Sequence, residues 1–440
     1  MKHLLAILIS VTLAAPVAAT DQALVDAVSA DYDAHLADLF VDFHSHPELS
    51  FREVETAARL AAELRAAGVE VTEGVGGTGV VGMLRNGDGP LVMVRADMDG
   101  LPIREATGLD YASTVTQVDI TGIEQPVMHA CGHDVHITSM VGTARRLAAM
   151  RDRWAGTVMF VGQPAEERVG GAKAMLADGL YERFGVPSAA LAFHVSSAGP
   201  AGKVAISGGQ IAASADTVDI VVHGIGAHGA SPHKGKDPVY MAAQIVIALQ
   251  GLVSRELAPL EPGVVTVGAI HGGTKHNIIP AEVRLQLTVR ADSMETRQRL
   301  LDGIERIARG VGVTNGLPDE LLPEVLVSSE FTPPTVNDVA LAERIKSAFV
   351  RELGEDAVYE RERDGMGAED FAFFVSTDEQ VPGAYFRVGG TPQDVLDAEA
   401  DGGPAVPSHH SPIFKIDPEP SVTMGTEAMT VAVLELLGTE

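Results

Sequence analysis

Three short apolar runs constrain this chain more than any other feature. Residues 91–95, 156–162 and 189–193 read as strands, the last of them as a buried one, set off by Gly and Asn turns or by helical stretches. Each runs into a residue with chemistry to offer. The first leads to Asp97, the second to the pair Glu166 and Glu167, and the third to His194. In an open α/β sheet, ligands bind outside the carboxyl ends of the strands. Three separate stretches of sequence therefore deliver polar side chains to one edge.

A fourth stretch supplies what such an edge lacks. Residues 128–136 hold Cys131, the only cysteine in 440 residues, together with His129, His133, Asp134 and His136, just before a helical pattern over 135–150. A thiolate and an imidazole two positions apart can reach one small cation, because the glycine between them, Gly132, lets the backbone turn tightly. Cys131 and His133 are thus the first candidate ligands. Adjacent carboxylates at the end of an apolar strand are costly unless charge compensates them. Neighbouring side chains at a strand-to-loop junction diverge, so of Glu166 and Glu167 one can ligate while the other faces a bound water, as metal-assisted hydrolysis requires.

Composition removes some alternatives. A formal net charge of −28 speaks against nucleic acid or an anionic membrane surface as partner. At the N-terminus, Lys2 and His3 precede an apolar run over 4–15 and then small residues, the order of a secretory signal peptide, with cleavage expected after Ala19. The run is too short to span a bilayer and no later segment is suited to it, so an exported, periplasmic protein without a membrane span is expected. A lone thiol in an oxidising compartment is a liability unless buried or metal-bound, which favours a metal at Cys131.

The remaining pattern sets the architecture. Helical spacing is read over 21–39, 53–67, 337–353, 368–375 and 418–437, and 389–407 reads as an exposed loop. Between about 207 and 330 the order strand, helix, strand, strand, helix, strand describes a ferredoxin-like βαββαβ unit. The expected fold is α/β, an open mixed-sheet catalytic domain with an inserted ferredoxin-like α+β domain. The boundaries are 1–19 for the signal, 20–206 and 331–440 for the two parts of the catalytic domain, and 207–330 for the insert.

Several motifs carry a family likeness. They are residues 128–136, Gln163 to Glu167, Arg95 to Pro102, His44 to Ser50, Gly226 to His233, Asn277 to Pro280 and Glu369 to Phe371. Together they resemble the amidohydrolase branch of the aminoacylase and carboxypeptidase metallopeptidases, which includes hippurate hydrolases, N-acetyl-amino-acid deacetylases and auxin-conjugate hydrolases. The resemblance covers nearly the whole mature chain. It implies a dinuclear metal site with Cys131 bridging, His133 and His194 on one ion, and Glu167 and His410 on the other. His410 is preferred to His409 because the family places its last ligand directly before a small residue and proline. Glu166 would be the general base and Asp97 would orient a ligand from behind. In the insert, acting as lid and dimerisation domain, Arg290 would clamp the substrate carboxylate. Asn277 would support substrate or backbone nearby, and His228 would stabilise an oxyanion from the partner subunit of a homodimer. The implied reaction is hydrolysis of N-acyl or N-aroyl amino acids, or of dipeptides. Zinc suits a thiolate and imidazole set, and the carboxylate share admits manganese, cobalt or nickel. The rival is a noncatalytic periplasmic protein capturing metal or solute, which would have no use for a spare carboxylate at Glu166.

Overall fold

The computed structural model describes residues 20–363 and 365–439, so the expected signal segment and its cleavage site lie outside the described residues. Seven strands form one mixed sheet in the order Glu70–Val75, Gly79–Asn86, Gly156–Gln163, Leu91–Asp97, Ala189–Pro200, Gly383–Thr391, Val204–Ala205. The four strands from Gly156–Gln163 to Gly383–Thr391 are mutually parallel, and the flanking pairings are antiparallel. Because side chains alternate along a strand, the apolar runs feed two cores. Val92, Val94, Phe160, Leu191 and Phe193 face one side, against the helices His133–Ala149, Val339–Leu353 and Pro418–Leu437. Met93, Met159, Val161, Ala190 and Ala192 face the other, against Gly171–Ala177 and Leu180–Phe184. The parallel register sets Asp97 opposite Gln163 and Arg387 opposite His194. One sheet edge therefore gathers the polar ends, as the apolar runs require.

A second sheet of four antiparallel strands, in the order Gly263–Gly272, Glu282–Ala291, Ser214–His223, Glu324–Thr332, carries its own core. Glu282–Ala291 alternates exposed and buried residues along most of its length, so only one face of this sheet is covered. The cover is two helices. Pro238–Gly251 starts where Asp237 accepts hydrogen bonds from the amides of Val239 and Tyr240, with Pro238 in the first turn. Met294–Thr314 starts where Ser293 accepts from Thr296. In chain order these elements are strand, helix, strand, strand, helix, strand.

Three expected elements differ. Residues 389–407 are not all loop: the last strand runs to Thr391 and Gln393–Ala400 is a helix, with its polar side chains turned outward. The helix expected over 368–375 is only Ala372–Val375, since Glu369 and Asp370 turn inward instead. The first helical pattern runs past residue 39 to Ser45, through a wider π-turn over Tyr32–Leu36.

The inward turn at Glu369 and Asp370 follows from Arg95. This fully buried guanidinium donates to Asp97 at 2.6 Å, to Gln163 at 2.7 Å, to Glu369 at 2.8 Å and to Asp370 at 3.2 Å. It ties two central strands to a segment some 270 residues away. Removing one partner of a buried ion pair costs about 3–5 kcal/mol, because the remaining charge is left without compensation. Arg95→Met should therefore lower the urea-unfolding free energy of the metal-free protein by about that amount. A change below about 0.5 kcal/mol, the size of an ordinary surface substitution, would show that the network does not hold the fold.

Candidate active site

The cluster is built on three sharp backbone turns. Gly132 precedes the helix His133–Ala149 at φ +83°, and a Cβ there would stand 2.2 Å from the Val195 side chain. Only glycine fits. Ala165 also takes a left-handed conformation, φ +49°, just before the turn Glu166–Arg168. Its amide donates to Glu53 at 2.8 Å, which holds the strained turn in place. His410 is a third left-handed residue, φ +66°, and its amide donates to the carbonyl of Ala130 at 2.9 Å. The two histidine-bearing stretches are thereby fastened side by side.

These turns bring Cys131, His133, Glu166, Glu167, His194 and His410 together. Cys131 groups with His133 and His194, and again with Glu167 and His410; His133 groups with Glu166 and Glu167. Within each group the donor atoms lie within 4.8 Å of one another. The Cys131 Sγ is 3.4 Å from His194 Nε2, and His410 Nε2 is 3.4 Å from Glu167 Oε1. His194 Nδ1 donates to the carbonyl of Val195 and His133 Nδ1 to that of Asp99, which leaves both Nε2 lone pairs facing the cluster. His133 Nε2 and Glu167 Oε1 are buried without a hydrogen-bond partner. Buried polar atoms are otherwise almost always satisfied. A thiol, imidazole lone pairs and carboxylate oxygens left facing one another are the donor set of a divalent transition-metal site, and the residues fit it.

The electrostatics agree. Burial, then the charges of Glu167 and Glu166, push the Cys131 thiol well above its usual range. A nearby cation reverses that shift by stabilising the thiolate. Burial and then Glu369 and Glu167 push Glu166 well above the usual carboxylate range. His133 is pushed up to about 10: burial opposes its charge, and Asp97, Asp99 and Glu167 outweigh burial. The field at this point favours positive charge.

The two neighbouring histidines separate cleanly. His409 Nε2 accepts the amide of Ser197 at 3.2 Å and its Nδ1 lies 3.8 Å from the Cys131 sulfur, whereas His410 turns its Nε2 to Glu167. His136, given no role from sequence, uses both nitrogens, one on Asp97 at 2.5 Å and the other on the amide of Val195 at 2.9 Å. Asp97 lies 3.7 Å from His133 Nε2, and its own hydrogen bonds go to His136 and Arg95.

Asp99 is the residue that sequence reasoning missed. Its carboxylate accepts the amides of Glu166 and Glu167, both at 3.1 Å, and the Ser50 hydroxyl at 2.6 Å, while its carbonyl holds His133. One residue thus positions two carboxylates and an imidazole. The available signal was a second acid two places after Asp97, inside a stretch already singled out.

His228, Asn277 and Arg290 sit elsewhere, on the four-stranded unit. Ala227–His228 pairs with Ile278–Ile279, so His228 is exposed beside Asn277 on a short ribbon. The Asn277 Oδ1 is buried and unpartnered. Arg290 is half-buried on the strand opposite Ala215. Among the described residues, none of the three bonds to the cluster within the chain.

Thiol, imidazole and carboxylate donors at the C-terminal edge of an open sheet, with one carboxylate to spare, define a metal-dependent hydrolase. Residues 93–401 match the sequence profile of peptidase family M20/M25/M40, and the chain belongs to that family. It is 38% identical to the hippurate hydrolase of Campylobacter jejuni over 75% of this chain and 82% of that one. It is 35% identical to the N-acetylcysteine deacetylase of Bacillus subtilis over 84% and 93%. The crystal structure of the Bacillus subtilis YXEP protein, described as a dinuclear metal-binding peptidase of the M20 family, superposes with a TM-score of 0.73 at 30% identity, covering 94% of this chain and all of that one.

Groups behind metal ligands typically set affinity by about 10–100-fold. Asp99→Asn should weaken metal binding by that factor in a chelator competition, with the circular dichroism spectrum unchanged. Unaltered affinity would show that Asp99 does not position the ligands.

Proposed function

We propose that the protein hydrolyses the amide bond of N-acyl or N-aroyl amino acids, releasing a carboxylic acid and a free amino acid. The observation that carries this reading is Glu166. It is buried against the donor cluster, its amide is fixed by Asp99, and the five proposed ligands leave it to spare, because Glu167 already faces His133 and His410. A binding protein has no use for such a group. The relatives point the same way, since hippurate and N-acetylcysteine are both amino acids acylated on nitrogen.

Cys131, His133, Glu167, His194 and His410 would hold two divalent ions, with zinc the expected metal. The chemistry such ions supply is Lewis acidity toward a carbonyl oxygen and a lowered pKa for water. Glu166 then takes a proton from water and returns it to the departing amine. Arg290 holds the substrate carboxylate through its planar fork, and the unpartnered Asn277 oxygen meets a polar group of the substrate. The exposed His228 donates to the developing oxyanion in a neighbouring subunit, where a donor is worth roughly a hundred- to a thousand-fold in rate. This reading includes a homodimer through the four-stranded unit.

A release assay over N-acetyl, N-benzoyl and dipeptide substrates tests the class directly. Glu166→Gln should keep its metal and lose roughly a hundred- to ten-thousand-fold in kcat, whereas Glu167→Gln should lose metal. Mixing Glu166→Gln with His228→Ala should restore part of the activity, since one site of a mixed dimer is intact. Full activity in Glu166→Gln would remove Glu166 as the general base, and no release from any of the substrates by the metal-loaded native protein would return it to the binding class. No recovery on mixing, with subunit exchange shown independently, would exclude the shared site.

A further inference from the structure

We propose that the cavity beside the cluster is an anion subsite, and that it selects substrates carrying a second carboxylate beyond the one assigned to Arg290. The turnover part of this inference rests on the amide-hydrolysis reading; the binding part does not.

The cavity has a volume of about 260 Å³ and is lined by Gln210, Arg361, Arg363, Glu369, Tyr385 and Arg387, among others. Three arginines around one small space are unexpected in a chain of net charge −28. Arg387 is the informative one. Its Cα is the register partner of His194 on the adjacent parallel strand. Strand alternation puts both side chains on the same face of the sheet.

Among the described residues, the two acids lining the cavity are already committed. Glu369 is taken by Arg95 at 2.8 Å and by the Tyr385 hydroxyl at 2.5 Å, and Glu360 by Lys346 at 2.7 Å. Arg363 is bound to Asp292 at 2.8 Å. Arg387, half-buried, lies over the Tyr385 ring at 5.1 Å, and no carboxylate stands within ion-pair distance of it among the described residues. A guanidinium on an aromatic face, with its donor edge uncommitted, is suited to accept a carboxylate. The cavity also adjoins the reaction centre, because Glu369, in its wall, has an oxygen within 4.8 Å of Glu166. An anion held there belongs to the same molecule as the amide being cleaved. Two sources share this chemistry: the side-chain carboxylate of an N-acylated acidic amino acid, and the distal carboxylate of a dicarboxylic acyl group.

The test uses three probes, N-acetyl-L-alanine, N-acetyl-L-glutamate and N-succinyl-L-alanine, with the metal-loaded protein and its Arg387→Gln and Arg387→Lys variants. The native protein should favour one of the two dianions over N-acetyl-L-alanine by roughly ten- to a hundred-fold in kcat/KM, the range of a hydrogen bond to a charged group. Which dianion is favoured identifies the source. Arg387→Gln should abolish most of that preference, chiefly through KM, and Arg387→Lys should restore part of it. Calorimetric titration of both dianions into Glu166→Gln, with and without Arg387→Gln, gives the same comparison without turnover. Arg387-dependent binding without hydrolysis of any amide would uphold the subsite and remove the hydrolysis reading. Hydrolysis with the same substrate ratios and the same dianion affinities in the native protein and Arg387→Gln would overturn the subsite and leave the hydrolysis reading standing.

Discussion

Uncompensated negative charge at the end of the central sheet is the constraint on which the rest of this structure depends. Asp97, Asp99, Glu166, Glu369 and Asp370 are all buried there, and Arg95 is the one Arg or Lys among the buried described residues. Arg95 offsets part of the charge of the layer deepest in the sheet, where it meets Asp97, Glu369 and Asp370. The outer layer, Glu166 and Glu167 beside the Cys131 thiol, has no such partner. Burying charge without compensation is prohibitive, and the shifts of Glu166, Cys131 and His133 all express the same deficit. Divalent cations answer it in a way that another arginine could not, because they also leave open coordination positions for chemistry.

The division between a rigid inner layer and a reactive outer one explains why so many residues near the site never touch it. Glu53 holds Ala165, Asp99 holds the following two amides, and Asp97 holds His136, which in turn holds the amide next to His194. Catalytic groups work only when kept close to the productive geometry. Here that geometry is set by backbone amides and buried carboxylates, at strand ends and in the sharp turns that follow them.

Much of this was legible in the sequence, and the reasons differ by residue. Apolar runs show which strands are buried, and the residues just beyond each run are those that arrive at the edge; Asp97, Glu166, Glu167 and His194 needed nothing more. His410 was preferred to His409 only through the family likeness, because in the fold the two are separated by a left-handed backbone at His410 and by the Ser197 amide, neither of which leaves a mark in composition. Asp99 was overlooked for a related reason: apart from the Ser50 hydroxyl, its carboxylate bonds to main-chain amides, which every residue but proline has. The helix Gln393–Ala400 was hidden among Gly, Asp and Pro residues that signal turns. Arg387 carries no mark of its own in the sequence, and its meaning comes from facing His194 across the parallel register, a relation between positions nearly two hundred residues apart.

The position of the metal is the most direct point at which this chemistry can be checked. Crystals of the metal-loaded protein, measured on both sides of the absorption edge of the bound element, place each ion without reference to activity. Two anomalous peaks are expected in contact with Cys131 Sγ, one flanked by His133 and His194 and the other by Glu167 and His410. A single peak away from Cys131, or none, would contradict the central claim.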